Sequence, residues 1–300
     1  MEKRTYLLLW LVSLFTLSAV AEVYPSPGYM DSYYYYHVAA NLARGRGLVE
    51  DFVWNYLTAL PTGIPQPAHL YWMPLTSLLA APFLALLGES FRVAQLPFIL
   101  LASLVPPVAA GLAWHLVRDG RIAISTAFLT LFAGFYFSYW PAIDSFGSFA
   151  LAATVALVLM DRALRPAGAS VPVDRMVLRP WSHSRNGKHQ HGHSALLPSA
   201  VSGLGTERRG LKIEGRGAPA PPAPSPPSVA LPATTSGALA AAVGCGAAIT
   251  LAHLARADGI LLLGVVFLLA LTRRPRGHAL ALALVVAASY LALMWHWLMR

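Results

Sequence analysis

Seven stretches nearly free of charge, residues 6–23, 93–117, 122–143, 146–160, 238–254, 260–271 and 279–298, constrain the fold of this chain more than any motif does. Most of them approach or exceed the roughly 17–25 apolar residues that cross a hydrocarbon core of about 30 Å. A water-facing surface needs charge, and only 12% of the 300 residues are Asp, Glu, Lys or Arg, against 56% hydrophobic. Soluble domains carry about 25% charged residues. The expectation is an all-α, polytopic transmembrane helical protein of about seven spans.

The net charge of +9 does not point to nucleic acid. Ten of the 22 basic residues fall between Arg162 and Arg216, in a stretch lacking the periodicity and aromatic platforms of a nucleic-acid module. That stretch holds the run 219–227, PAPPAPSPP, and scattered Gly and Ser, so residues 165–236 are predicted to be a disordered Pro/His/Arg-rich cytoplasmic loop. Its His183, His189, His191 and His193 lack the fixed surroundings that make a metal site. It separates an N-terminal membrane module, residues 1–164, from further membrane helices at 237–300. The lone cysteine, Cys245, falls inside an apolar run and carries no compartment information.

Sidedness follows from the positive-inside rule. Lys3-Arg4 before the first apolar run, and Ala19-Val20-Ala21 after it, have the pattern of a signal peptide; with more spans following, the run reads as a span that starts on the cytoplasmic side. Residues 74–88 reach only about 22 Å as a helix and contain Pro74 and Pro82, a poor span. If they form an interfacial or re-entrant element, seventeen of the 22 basic residues lie inside; if they cross, every later basic loop is inverted. Residues 24–92 are therefore expected to be an external loop, with Asp31 and Asp144 on the same external face.

In that loop Asp31 precedes a segment, 32–44, predicted to be an interfacial helix capped by Ser32, sharing Tyr33, Tyr36, His37 and Ala40 on one face and ending at Gly45. The helix N-terminus would keep Asp31 ionised. Ionisable residues at a bilayer edge are costly unless paired or functional, which singles out Asp144 and the Arg256/Asp258 turn. Simpler roles stand beside these: a helix cap for Asp31 and Asp144, an aromatic belt for the tyrosines, a local ion pair for Arg256 and Asp258.

Asp31 with the Tyr/His-rich segment and Gly45-Arg46-Gly47, then His69-Leu70-Tyr71-Trp72-Met73-Pro74, Gly88-Glu89-Ser90 with Arg92, Tyr139-Trp140-Pro141-Ala142-Ile143-Asp144, and Arg256-Ala257-Asp258-Gly259 together resemble the GT-C glycosyltransferases. These multi-spanning enzymes include oligosaccharyltransferases, protein O-mannosyltransferases and aminoarabinose transferases. The resemblance implies a sugar donor linked to a polyprenyl phosphate, a protein, lipid or glycan acceptor, and a site at the external face of the plasma membrane among membrane lipids. It implies Asp31 as the catalytic carboxylate. Arg256, Arg44, Arg46, Tyr33 and His37 become substrate-binding candidates, and Asp144 and His69 candidate ligands for a divalent Mg or Mn ion. The chain departs from the pattern at Asp31-Ser32, where many relatives have an acidic pair. It also ends at Arg300, where relatives continue, which reads as an N-terminal portion. Two other readings stay open: a non-catalytic polytopic protein (a lipid-linked-sugar binder, assembly subunit or inactive fragment), and a transporter, which would place its polar groups nearer mid-bilayer.

Overall fold

In the computed structural model, residues 1–53, 63–165, 235–273 and 275–299 are described. The readings made for residues 166–234, including the four loop histidines, lie outside the described residues. The described chain is mostly helical: α1 (Lys3–Val23), α2 (Met30–Ala43), α3 (Leu75–Leu87), α4 (Phe91–Val117), α5 (Gly120–Leu131), α6 (Phe146–Leu164), α7 (Thr235–Ala255), α8 (Leu261–Thr272) and α9 (Arg276–Leu298). A two-residue antiparallel ladder, β1 (Val49–Glu50) with β2 (Gln66–Pro67), closes the loop after α2.

Among the described residues, five helices are long and apolar enough to cross a membrane: Lys3–Val23, Phe91–Val117, Phe146–Leu164, Ser236–Ala255 and Arg276–Leu298. Their outward faces carry large apolar side chains that water would penalise; Phe15 is 78% exposed. One of the apolar runs forms a shorter helix than expected. Residues 122–143 do not make one continuous helix: α5 stops at Leu131, and after Phe132 and Ala133 a 3-10 turn, Gly134–Tyr139, carries the chain onward. An aromatic-rich run, Phe132 to Trp140, with Gly134 at φ 58° has low helix preference and explains the break. α3 is also short, with Pro82 inside it, and packs on α2 and α4.

Small residues let the helices approach. Between α7 and α9 a Cβ at Gly246 would lie 2.5 Å from the Val286 carbonyl oxygen and 2.6 Å from Ser289 Cβ. Around this contact α6, α7, α8 and α9 share a core containing Ala242, Ile249, Val266, Ala283 and Val286. A second core gathers Tyr34, Tyr35, Val38 and Ala39 of α2, Ala80, Ala81 and Leu84 of α3, Ala94 and Phe98 of α4, and Ile143.

That core corrects the expected face of α2. Tyr34, Tyr35, Val38 and Ala39 point inward and Tyr33 points out, 54% exposed. The helix is therefore held by protein on its Tyr34/Tyr35 side, with Ser77 Oγ donating to the Tyr35 carbonyl at 3.0 Å. Its start is also earlier than expected: Tyr29 occupies the N-cap position, Asp31 lies in the first turn, and Ser32 is fully buried inside the helix.

Gly88-Glu89-Ser90 and Arg92 tie elements together. Glu89 forms a forked ion pair with Arg44 at the end of α2, with Arg44 Nε donating to Oε2 at 2.9 Å. Ser90 caps α4 by accepting from Val93 N–H at 3.2 Å. Arg92 donates to the carbonyls of Ala21 and Glu22 at the C-terminus of α1, where unpaired carbonyls and the helix dipole favour a cation. The ends of α1 and α2 and the start of α4 thus meet at one end of the bundle. At the opposite end Arg273, after α8, pairs with Asp161 near the end of α6 at 3.6 Å, and Arg165 pairs with the same carboxylate.

Candidate functional site

The structure brings Asp31 and Asp144 together although 112 residues separate them. Tyr29, two residues before Asp31, donates its phenol proton to Asp144 Oδ2 at 2.5 Å. The other oxygen, Oδ1, accepts from Ser145 N–H at 2.5 Å and Ser145 Oγ at 3.1 Å. Asp144 is 6% exposed, so these donors keep a buried carboxylate satisfied. Its position comes from the broken α5 segment, whose 3-10 turn returns the chain to the start of α6. Asp144 does not act as a conventional cap for α6, because its bonds go to the adjacent Ser145 and to Tyr29 rather than two or three residues ahead.

The surroundings of Asp31 reverse the electrostatic expectation. Burial raises its pKa above the usual carboxylate value of 3.8, and the charge of Asp144 raises it further. A hydrogen bond from the Trp72 indole N–H pulls the other way and is the smaller effect. A helix N-terminus alone would favour ionisation; here desolvation and a like charge outweigh it. The same field reaches two phenols. Burial, then Asp144, then Asp31 push Tyr35 far above its ordinary value, and burial with the charge and hydrogen bond of Asp144 does so for Tyr29, keeping both protonated.

Arg256 reaches this cluster from the turn after α7. Its positive charge lowers the Tyr35 pKa, opposing the carboxylates. The guanidinium lies 5.7 Å from the Phe146 ring centroid and 5.8 Å from that of Phe149, both on the first turn of α6 beyond Asp144. Asp258 accepts from its Nε at 3.2 Å. The terminal guanidinium nitrogens have no hydrogen bond among the described residues. Gly259 gives the turn its shape: a Cβ there would lie 2.5 Å from Ala252 C and His253 N, so any side chain would push the turn off the end of α7.

The remaining candidates fall elsewhere. Arg44 is held by Glu89, and Arg46 by Asp51 through two bonds of 2.6 and 2.7 Å. Thirteen residues of helix place Arg44 about 20 Å along α2 from Asp31. His37 lies 3.4 Å from Asp51 and 3.2 Å from Asn41 Nδ2. Met30, Tyr33, Tyr34, His37 and Phe52 line an open cavity of about 420 Å³. His69 takes a left-handed backbone, φ 64°, with its N–H donating to the Tyr34 hydroxyl at 2.6 Å and Nδ1 3.1 Å from the Trp72 carbonyl. Nδ1 then carries the proton and Nε2 is the acceptor nitrogen. His69 also packs its ring on Tyr34 and Tyr35.

No three of the His, Cys, Asp and Glu side chains among the described residues are grouped to hold a metal ion. For a hard divalent cation the carboxylate of Asp144 fits better than the His69 imidazole, since Mg is held through one or two carboxylates with substrate phosphate completing its shell. Sequence reasoning missed Tyr29, Tyr35 and Trp72. Their roles arise from long-range packing, and the only signal was their place next to Asp31 and His69.

These features define a class: a helical membrane protein with a carboxylate pair, of which Asp144 is buried and Asp31 partly so, an arginine and several phenols gathered at one end. Set against known protein families, curated proteins and solved structures, the chain matches none.

Proposed function

We propose that this protein is a GT-C-type glycosyltransferase that moves a sugar from a polyprenyl-phosphate donor to a hydroxyl or amide acceptor at the external face of the plasma membrane. Seven crossings, with α5 and its 3-10 turn and α8 among them and α3 interfacial, return Asp31, Asp144 and Arg256 to that face. The observation that carries the reading is the convergence of Asp31, Asp144 and Arg256 from three distant parts of the chain.

Asp31 acts as general base. Its raised proton affinity makes its carboxylate a stronger base than an ordinary aspartate, while the Trp72 N–H holds it in place. The acceptor oxygen or nitrogen attacks the anomeric carbon as its proton passes to Asp31; the anomeric C–O bond breaks and the phosphate leaves with the electron pair. Arg256, held over two aromatic rings, offers its terminal N–H groups to the departing phosphate in a fork. A divalent cation, when bound, would be held by Asp144 with Asp31 left as the base, and would neutralise phosphate charge.

Asp31→Asn tests the assignment directly. In membranes supplied with a labelled lipid-linked sugar, transfer is expected to fall by about 10²–10⁴-fold. Undiminished transfer removes Asp31 from the chemistry.

A further inference from the structure

Two faces of α2 border Asp31, and they differ in charge. Tyr35, one turn beyond Asp31, looks toward Asp144 and Arg256. Met30, Tyr33, Tyr34 and His37 recur at helical spacing on another stripe and, with Phe52, line the 420 Å³ cavity. The residue before Asp31 and the residue three after it both belong to that lining. Tyr34 lies 5.0 Å, centroid to centroid, from Trp72, the residue that hydrogen-bonds Asp31, so the cavity wall and the carboxylate share support.

The cations near this cavity are compensated. Both arms of the Arg46 guanidinium are taken by Asp51, which also faces His37, and Arg44 is taken by Glu89. A phosphate placed there would gain little, whereas Arg256 keeps its terminal nitrogens on the opposite side of α2. The cavity instead presents aromatic faces, whose negative quadrupole attracts the weakly positive C–H face of a sugar ring. The Tyr33 phenol and His37 imidazole supply hydrogen-bonding groups at its edge. Its volume falls within the range of small-molecule sites, about 300–1,000 Å³, ample for one or two sugar rings.

Building on the assignment of Asp31 as the base, we infer that this cavity is the acceptor subsite and that it takes an uncharged carbohydrate, with Tyr33 as its stacking platform. The acceptor of the reaction is then a glycan rather than a peptide side chain, and donor phosphate and acceptor sugar approach Asp31 from different faces of one helix.

The test is binding of neutral methyl glycosides of mannose, glucose and N-acetylglucosamine, followed by saturation-transfer NMR on the full chain in lipid nanodiscs, with farnesyl phosphate as the lipid-phosphate probe. Tyr33 is exposed, so Tyr33→Ala leaves the core of α2 intact. It is expected to weaken the best-bound glycoside about fivefold or more and to leave farnesyl phosphate binding unchanged, which also reports a folded protein. If no glycoside binds the wild type, or if Tyr33→Ala leaves glycoside binding unaltered, the inference is overturned. Loss of farnesyl phosphate instead would assign the cavity to the donor lipid and overturn it equally. The Asp31→Asn transfer assay separates the two levels: glycoside binding at Tyr33 with transfer unaffected by Asp31→Asn would leave a carbohydrate site and remove the catalytic reading.

Discussion

At the scale of residues, the chemistry of Asp31 is set by burial and by its neighbour Asp144. Tyr29 and Ser145 supply donors to the Asp144 carboxylate, and burial together with the neighbouring Asp144 raises the proton affinity of Asp31 above that of an ordinary aspartate. A base whose pKa is raised is lost to protonation at a higher pH than an ordinary aspartate. Transfer should therefore fall on acidification along a limb lying above pH 3.8, the usual carboxylate value. Asp144→Asn removes the like charge, so that limb should move to lower pH whatever happens to the maximal rate. A pH profile of transfer in membranes measures the shift, and a limb that stays put would separate the two carboxylates. Asp31 and Asp144 stood out in the sequence because charges are scarce there. The direction of the Asp31 shift did not, because it depends on burial and on a neighbour 113 positions away. Arg44 and Arg46 stand behind Arg256 as phosphate-binding candidates in the sequence, and the structure pairs them with Glu89 and Asp51.

At the scale of elements, the site depends on close backbone approaches that a single methyl group would spoil. Gly246 lets α7 sit against α9, and Gly259 lets the Arg256 turn fold onto the last turn of α7. Each would place a Cβ about 2.5 Å from backbone atoms, which cannot move aside as a flexible side chain can. Gly246→Ala and Gly259→Ala should each cost about 1–3 kcal/mol, read as a lower thermal midpoint of the purified protein in detergent. Their functional effects should differ: Gly259→Ala displaces Arg256 and so should weaken farnesyl phosphate binding even at temperatures where the fold survives, while Gly246→Ala should not. Long apolar helices were legible from uninterrupted runs of about 20 residues, and α3 was legible as a short element from its length and Pro82. The division of residues 122–143 into α5 and a 3-10 turn was not, since hydropathy does not register a backbone break among aromatic residues. The buried face of α2 was missed for a related reason: four consecutive tyrosines leave the helical stripe undetermined until α3 packs against it.

At the scale of the whole molecule, the few charged residues sort by end. Glu22, Asp31, Arg92, Asp144, Arg256 and Asp258 gather where α1 ends and α4 and α6 begin; Asp161, Arg165 and Arg273 gather where α6 ends and α9 begins. Sequence order and hydropathy suffice to group residues this way when each apolar run reverses the direction of the chain. Which end faces the cytoplasm rests on the bias of Lys and Arg, since the bundle itself has no preference for either orientation. The chain offers a clean way to measure it, because its one cysteine, Cys245, is buried within α7 and should stay silent to a membrane-impermeant maleimide. Ser26 and His278 are both exposed and lie at opposite ends. In intact cells Ser26→Cys should be labelled from outside and His278→Cys only after the membrane is opened, and a reporter fused within residues 166–234 should be cytoplasmic. The reverse pattern would keep Asp31 beside Asp144, since their contact does not depend on orientation, but would turn the pair toward the cytoplasm. A donor presented at the outer surface could not then reach it, and the proposed reaction would have to be abandoned while the carboxylate pair remained.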